Sequence, residues 1–234
     1  MKVEIWSDVV CPFCYIGKRK FEIALSQFKH KNDVEVIWHS FQLDPEAKYI
    51  PGKTIHEMLA GKKNWTVDYS KEMHVHMTKM AAEVGLNYNF DTVIPVNTFD
   101  AHRLIHLAAK HGLQDKMKER LLAAYFTEGR NVSDHTALIK LGEEVGLKAE
   151  EVKIMLAGNE MAAEVKADIE EANSFGIRGV PFFVLNRKYA ISGAPTPETF
   201  LDGLEKAWAE WKKESPFVAV ASSEGDSCEP GKPC

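Results

Sequence analysis

Strand-forming sequence is confined to the two ends of this 234-residue chain, and that distribution constrains its fold more than any other feature. Near the start, residues 2–7 read as a buried strand, and 12–29 carry a helical stripe of Phe21, Leu25 and Phe28. Val34 to Phe41 reads as a second strand, and a strand–helix–strand unit predicts a parallel pair with a right-handed crossover. Near the other end, Pro181 to Leu185 reads as a strand, Asn186-Arg187-Lys188 as a tight turn and Tyr189 to Ser192 as its hairpin partner. Pro197 to Lys213 then predicts a last helix with Phe200, Leu204, Ala207, Trp208 and Trp211 on its apolar face. Between these ends only helical periodicity is found, in Thr54–Leu59, Tyr69–Val84, Thr98–His111, Leu113–Thr127, Asp134–Val145 and Ala149–Ser174. Gly85, Gly112, Gly129, Gly146 and Gly158 punctuate these as helix C-terminal glycines do. Asn97-Thr98-Phe99-Asp100 and Ser133-Asp134 suit helix starts. The expected layout is a βαβ half, an all-helical insertion and a ββα half.

Cys11-Pro12-Phe13-Cys14 falls where the first strand gives way to the first helix. Two cysteines at that spacing and junction point to a redox-active dithiol. A helix N-terminus presents unpaired N–H groups and a partial positive charge, which favour thiolate over thiol. Cys11 would lie at that terminus, with Pro12 in the first turn where a missing N–H costs nothing. Cys14, one turn in, can close a disulfide on Cys11 yet is sheltered, which makes Cys11 the attacking and Cys14 the resolving cysteine. A zinc half-site would need a second rigid ligand pair. The remaining cysteines, Cys228 and Cys234, stand in a Pro/Gly/Ser-rich end. Two inert buried cysteines are the other alternative, disfavoured by the Pro-aromatic filling.

A net charge of −5 with no basic stripe speaks against a nucleic-acid partner. Glu and Lys intersperse along the helices as on solvated faces. No apolar run is long enough to span a bilayer. Met1-Lys2 leads at once into a strand pattern without the apolar core of a secretory signal, so a cytoplasmic location is expected. There a disulfide is more often catalytic or transient than structural.

Three stretches together carry a family resemblance. They are Trp6-Ser7-Asp8-Val9-Val10-Cys11-Pro12-Phe13-Cys14, Asn97-Thr98-Phe99-Asp100-Ala101-His102-Arg103-Leu104 and Gly176-Ile177-Arg178-Gly179-Val180-Pro181-Phe182-Phe183. In this order they resemble the DsbA-like branch of the thioredoxin fold, and within it the FrnE-like disulfide oxidoreductases. The resemblance implies an α/β thioredoxin fold with a helical insertion: a discontinuous domain of 1–53 and 176–213, an insertion of 54–175 and a flexible tail of 214–234. It implies that Cys11 is the nucleophile and Cys14 the resolving cysteine. Pro181 resembles the family's cis-proline facing the dithiol, with the Val180 backbone pairing an extended substrate segment. The activity implied is exchange with protein or peptide thiols through a mixed disulfide, without a resident cofactor, with glutathione or a thioredoxin system as redox partner. Kappa-class glutathione transferases and 2-hydroxychromene-2-carboxylate isomerases share this architecture, and a glutathione-dependent activity on a small molecule is the alternative. Their active position is typically serine, which this chain lacks.

Other residues are weighed more lightly. His102 and His106 share a helix face, as metal ligands do, but lack a third ligand and read as packing or surface histidines. His74 and His76 point in different directions. Asp100 suits a helix N-terminus, Trp6 and Trp38 the core, and Asp8 either proton tuning at Cys11 or a loop role. Cys228 and Cys234 flank a Pro-Gly turn, which suggests an auxiliary redox pair exchanging with Cys11 and Cys14.

Overall fold

The structure is a computed structural model and describes residues 1–214. The N-terminal unit is β1 (Lys2–Ser7), α1 (Pro12–Gln27) and β2 (Glu35–Ser40), followed by helices α2 (Ile55–Lys63), α3 (Val67–Ala82), α4 (Phe99–Lys110) and α5 (Gln114–Phe126). Next come α6 (His135–Val145), α7 (Ala149–Ala157) and α8 (Ala162–Ser174), and the chain returns through β3 (Phe182–Leu185), β4 (Tyr189–Ser192) and α9 (Pro197–Glu214). The sheet has the order β2-β1-β3-β4, with β1 parallel to β2 and β3 antiparallel to both its neighbours. This is a thioredoxin-like α/β fold carrying a helical insertion. Cys228 and Cys234 lie outside the described residues.

Alternation along β1 builds the two faces. Val3 and Ile5 point into a cluster with Phe21 of α1, Phe183 of β3 and Phe200 of α9. Trp6 points the other way, against Ala172 of α8 and Ile177. The first cluster continues without a break through Tyr15 into Leu104, Leu121 and Leu141 of the insertion, so the helical region shares its core with the sheet. Gln114, at the start of α5, accepts from the Trp38 N–H at 3.0 Å and donates to the Trp38 carbonyl at 2.9 Å. It thereby covers ladder groups on the exposed side of the edge strand β2.

The expected helix Ala149–Ser174 is two helices, and the break has a cause outside the segment. Arg103 of α4 donates to the carbonyls of Met155, of Gly158 at 2.7 Å and of Glu160 at 2.8 Å. These are carbonyls a continuous helix would have bonded itself. Gly85, Gly112, Gly129 and Gly146 take positive φ as helix-terminal glycines do, and Gly158 also ends a helix, as the C-cap of α7, but in extended conformation with φ −107°. The left-handed residue at this junction is Met161, φ 62°, which leads into α8.

Candidate functional site

Three segments converge where β1 meets α1. Cys11 is the N-cap of α1 in extended conformation, with Pro12 opening the helix. Its N–H donates to the Asp8 carbonyl at 3.3 Å, and the Cys14 N–H donates to the Cys11 carbonyl at 3.0 Å, winding the loop into the first turn. From the β3 side the Val180–Pro181 bond is cis, and the Cys11 thiol donates to the Val180 carbonyl oxygen at 3.4 Å. Pro181 packs on α1 at Gly17, where a Cβ would stand 3.0 Å from the proline Cγ. Between α3 and α4, Tyr88 donates to the Pro12 carbonyl at 2.7 Å and stacks on Tyr15 and Phe126. Cys11, Cys14, Val180 and Pro181 are thus brought together.

Exposure hardly separates the two thiols, at 4% for Cys11 and 1% for Cys14. Access does. Cys11 lines a cleft of about 690 Å³, together with Pro12, Phe13, Gly179 and Val180, whereas Cys14 does not reach it. The cleft runs from the dithiol between the 43–63 segment and the aromatic floor of Phe90, Tyr125 and Phe126.

Beneath the dithiol lie three buried titratable groups, from the loop after β1, from α4 and from α5. Asp8 accepts from the Leu43 N–H at 2.8 Å and meets His102 of α4 at 3.2 Å. Lys118 of α5 donates to the Ser7 carbonyl at 3.2 Å with its side chain fully enclosed. Burial alone would raise the Asp8 carboxyl, but His102, the Leu43 N–H and the Lys118 ammonium hold it below its ordinary value. Burial draws His102 and Lys118 down.

The two sulfurs titrate as a coupled pair. Cys11 is held well above the usual thiol range, first by its hydrogen bond to Cys14 and then by burial. Burial pushes Cys14 up too, yet the Cys11 hydrogen bond and the Lys118 ammonium outweigh it and leave Cys14 below the ordinary value. The helix terminus favours a thiolate at Cys11, whereas the buried Lys118 cation favours one a turn further in, at Cys14. The Ser7 hydroxyl, buried and without a partner, stands toward Cys14.

Sequence reasoning passed over Lys118, Ser7 and Tyr88. Lys118 had a signal, since Lys118, Leu121, Leu122 and Tyr125 fall at helix-face spacing on α5. The α4 histidines serve different clusters. His102 belongs to the dithiol, while His106 meets Asp168 of α8 at 2.9 Å and Ser40 at 3.0 Å. One ring nitrogen makes both of those contacts, so His106 cannot relay a proton from Ser40 to Asp168 as a hydrolase triad would. Glu4, His39 and Glu171 bring ligand-type atoms within 4.8 Å of one another. Arg187 occupies both of those carboxylates, at 2.6 and 2.5 Å, and His39 is bound to Asp168 at 2.6 Å.

Among the described residues no helix is long and apolar enough to cross a membrane. The model of the DsbA-like thioredoxin domain matches residues 2–205. The YwbO protein of Bacillus subtilis is 30% identical over 217 residues, 91% of this chain and 98% of that one. A probable DsbA oxidoreductase from Streptomyces coelicolor superposes with a TM-score of 0.86 at 37% identity, covering 99% of this chain and 97% of its own. The cytosolic disulfide reductase DsbM from Pseudomonas aeruginosa, solved with GSH, shares the fold at a TM-score of 0.59 and 18% identity, over 92% and 98%. With a match across residues 2–205, and a dithiol set against a cis-proline loop, the chain belongs to the DsbA-like thioredoxin-domain family of thiol–disulfide oxidoreductases.

Proposed function

We propose that the protein is a thiol–disulfide oxidoreductase/isomerase of protein or peptide substrates, working through Cys11-Pro12-Phe13-Cys14. One observation carries this reading: Cys11 Sγ opens on the cleft 3.4 Å from the Val180 carbonyl, while Cys14 sits behind it beside a buried cation. A substrate thiolate attacks Cys11 Sγ of the oxidised pair. The substrate–Cys11 bond forms as the Cys11–Cys14 bond breaks, and the electron pair leaves on Cys14. Lys118 and the Ser7 hydroxyl stabilise that leaving thiolate. A second substrate thiolate then attacks the substrate sulfur of the mixed disulfide and expels Cys11 as thiolate. Two electrons have passed to the protein and the substrate has gained a disulfide. Run in reverse, Cys11 opens a substrate disulfide and Cys14 frees it. The Val180 backbone holds the substrate as an extended segment. Glutathione or a thioredoxin system resets the dithiol, the setting is cytoplasmic, and no cofactor is resident.

Dithiothreitol-driven reduction of insulin tests the reading. Wild-type protein should accelerate it, Cys11→Ser should abolish the acceleration, and Cys14→Ser should accumulate mixed disulfides with substrate. The cleft's size also suits a small ligand, which supports a glutathione-dependent isomerase or transferase as second reading. Inertness toward insulin, with a glutathione-linked conversion that survives Cys14→Ser, would establish that one instead. We assign Cys228 and Cys234 as an auxiliary pair exchanging with the central dithiol; deleting residues 215–234 should then slow turnover several-fold.

A further inference from the structure

The cleft beside Cys11 is apolar within and basic along one lip. Its interior presents Met58, Leu59, Phe90, Val96, Tyr125 and Phe126. His74, stacked on Phe90, adds no charge at neutral pH, because burial and the neighbouring His56 bring it down to about 4. The outer wall, formed by the 43–63 segment, carries Lys48, Lys53, Lys62 and Lys63 against Asp44 and Glu46. Among the residues that line the cleft these four positive and two negative charges leave +2, and Glu57, which caps α2 beside Lys53, brings the whole segment to +1 on a chain whose net charge is −5. Lys62 is held by Asp44, whereas Lys48, Lys53 and Lys63 stand exposed. Phe13, Leu43 and Ile50, which border the same opening, are among the most exposed large apolar residues of the structure, at 39, 48 and 50%. Apolar groups left in water around a reactive sulfur mark a surface built for contact.

From this arrangement we infer that the cleft selects substrate cysteines followed by an apolar side chain and then by acidic residues. The inference rests on the disulfide-exchange reading and adds the sequence that the exchange favours. Sulfur chemistry at Cys11 fixes the first position, since the substrate thiolate must displace Cys14 from Cys11 Sγ. The aromatic floor takes an apolar side chain close to that cysteine. The lysine lip then takes carboxylates. Helix α2, whose two ends both border the cleft, is nine residues and so about 13 Å long. An extended peptide covers that length in about four residues, so the probe peptide below carries its first carboxylate four residues from the cysteine. Charge complementarity of this kind acts mainly on the encounter rate and is weakened by salt.

The test uses the full-length chain with Cys228→Ser and Cys234→Ser, so that only Cys11–Cys14 reports. The oxidised protein is mixed with the peptide Cys-Gly-Phe-Gly-Glu-Glu, with a Lys-Lys version, with a version having Ala for Phe, with reduced glutathione and with dithiothreitol. Loss of the Cys11–Cys14 disulfide is followed by stopped flow. At 50 mM salt the acidic Phe peptide should react roughly tenfold faster than its lysine counterpart, and several-fold faster than the Ala version. The charge preference should collapse at 1 M salt. It should reverse in Lys48→Glu/Lys53→Glu/Lys63→Glu, which makes the lip negative, while the rate with dithiothreitol stays at the parent value. Peptides reacting alike, with dithiothreitol still reactive, would overturn the selectivity and leave disulfide exchange standing. If glutathione outpaces every peptide and the triple variant slows it alone, the lip serves a small anionic thiol and the peptide inference fails. Inertness toward every thiol, dithiothreitol included, would remove the underlying reading itself.

Discussion

Two buried acid–histidine clusters flank the central strands, and they are finished differently. At the rear, Asp168 accepts from the Ser40 N–H and from His39, both at 2.6 Å, and from His106 at 2.9 Å, while its own carbonyl accepts from Trp6 at 3.0 Å. Glu4 joins His39 at 3.2 Å and is itself held by Arg187. The carboxylates there meet donors on several sides. Beneath the dithiol, Asp8 and His102 face each other, yet a lysine is enclosed with the Ser7 carbonyl as its hydrogen-bond acceptor, and the Ser7 hydroxyl meets nothing but the Cys14 sulfur it faces. A saturated network fixes one packing; an unsaturated one holds donors in reserve for a charge that appears during a reaction. That difference assigns the rear cluster to architecture and the front cluster to chemistry.

The largest effect expected from this contrast is structural. Asp168→Ala strips Ser40, His39 and His106 of their common acceptor, so it should cost about 3 kcal/mol or more. Thermal unfolding should fall by roughly 6–12 °C for a chain of this size. Insulin reduction per folded molecule, measured well below the transition, should hold near the wild-type value. If stability is kept and turnover is lost, the assignment of the two clusters is reversed.

Lys118→Met probes the front. The exchange relieves the desolvation of an enclosed ammonium but leaves the Ser7 carbonyl without its donor and Asp8 without a nearby cation, so the melting temperature should fall by only a few degrees. The leaving thiolate, however, loses its cation. Absorbance titration near 240 nm should show the first thiolate of the pair forming at higher pH, and insulin reduction should slow by about tenfold, equivalent to about 1.4 kcal/mol. A variant with normal thiolate absorbance and slowed turnover would show Lys118 to act through packing alone.

The same contrast sets how each cluster answers pH. Burial lowers His39, but Asp168 and Glu4 outweigh it and raise the folded value above the unfolded one. Stability from that interaction is therefore complete below about pH 6.5 and lost as pH rises through the folded value. His102 is lowered by burial in spite of Asp8. Below about pH 6.5 the unfolded chain takes up the proton first, so stability falls with pH on that side. His39→Gln should accordingly cost more at pH 6 than at pH 8 in urea titrations, and His102→Gln should relieve part of the acid-side decline. Parallel pH profiles for the two variants would erase the distinction between the clusters.

Legibility in the sequence followed the range of the interaction. Alternation marks β1 and β2, and the Asn186-Arg187-Lys188 turn marks the hairpin, because strand and turn signals are local. The break between α7 and α8 is not readable from Ala149–Ser174, since the side chain that stabilises it, Arg103, lies on another helix. Spacing singles out Cys11 and Cys14, and family likeness points to Val180-Pro181; their meeting at 3.4 Å is a tertiary fact. Lys118 was hidden by composition, because an interspersed Glu/Lys helix normally shows its lysines to water, and only the register with Leu121, Leu122 and Tyr125 turns this one inward. Asp168 and His39 carry no motif at all, and only the packing of α8 on β2 brings them together.

The smallest effect separates the clusters most cleanly, because it concerns two serines that are register partners across β1 and β2. Ser7 and Ser40 are equally enclosed, at 0 and 2% exposure. Ser40 Oγ is matched with His106 at 3.0 Å, whereas Ser7 Oγ is unmatched and stands toward Cys14. Ser40→Ala removes a made hydrogen bond and should cost about 1 kcal/mol, with turnover unchanged. Ser7→Ala removes a hydroxyl whose desolvation was uncompensated, so stability should hold or rise slightly. Turnover should nonetheless fall about threefold, since the Cys14 thiolate loses a donor as it leaves. The pair of substitutions, read by urea midpoints and by insulin reduction, should therefore cross: one variant weaker but as active, the other as stable but slower. Should both serines move only stability, the Ser7 hydroxyl is packing, and Lys118 alone holds the leaving thiolate.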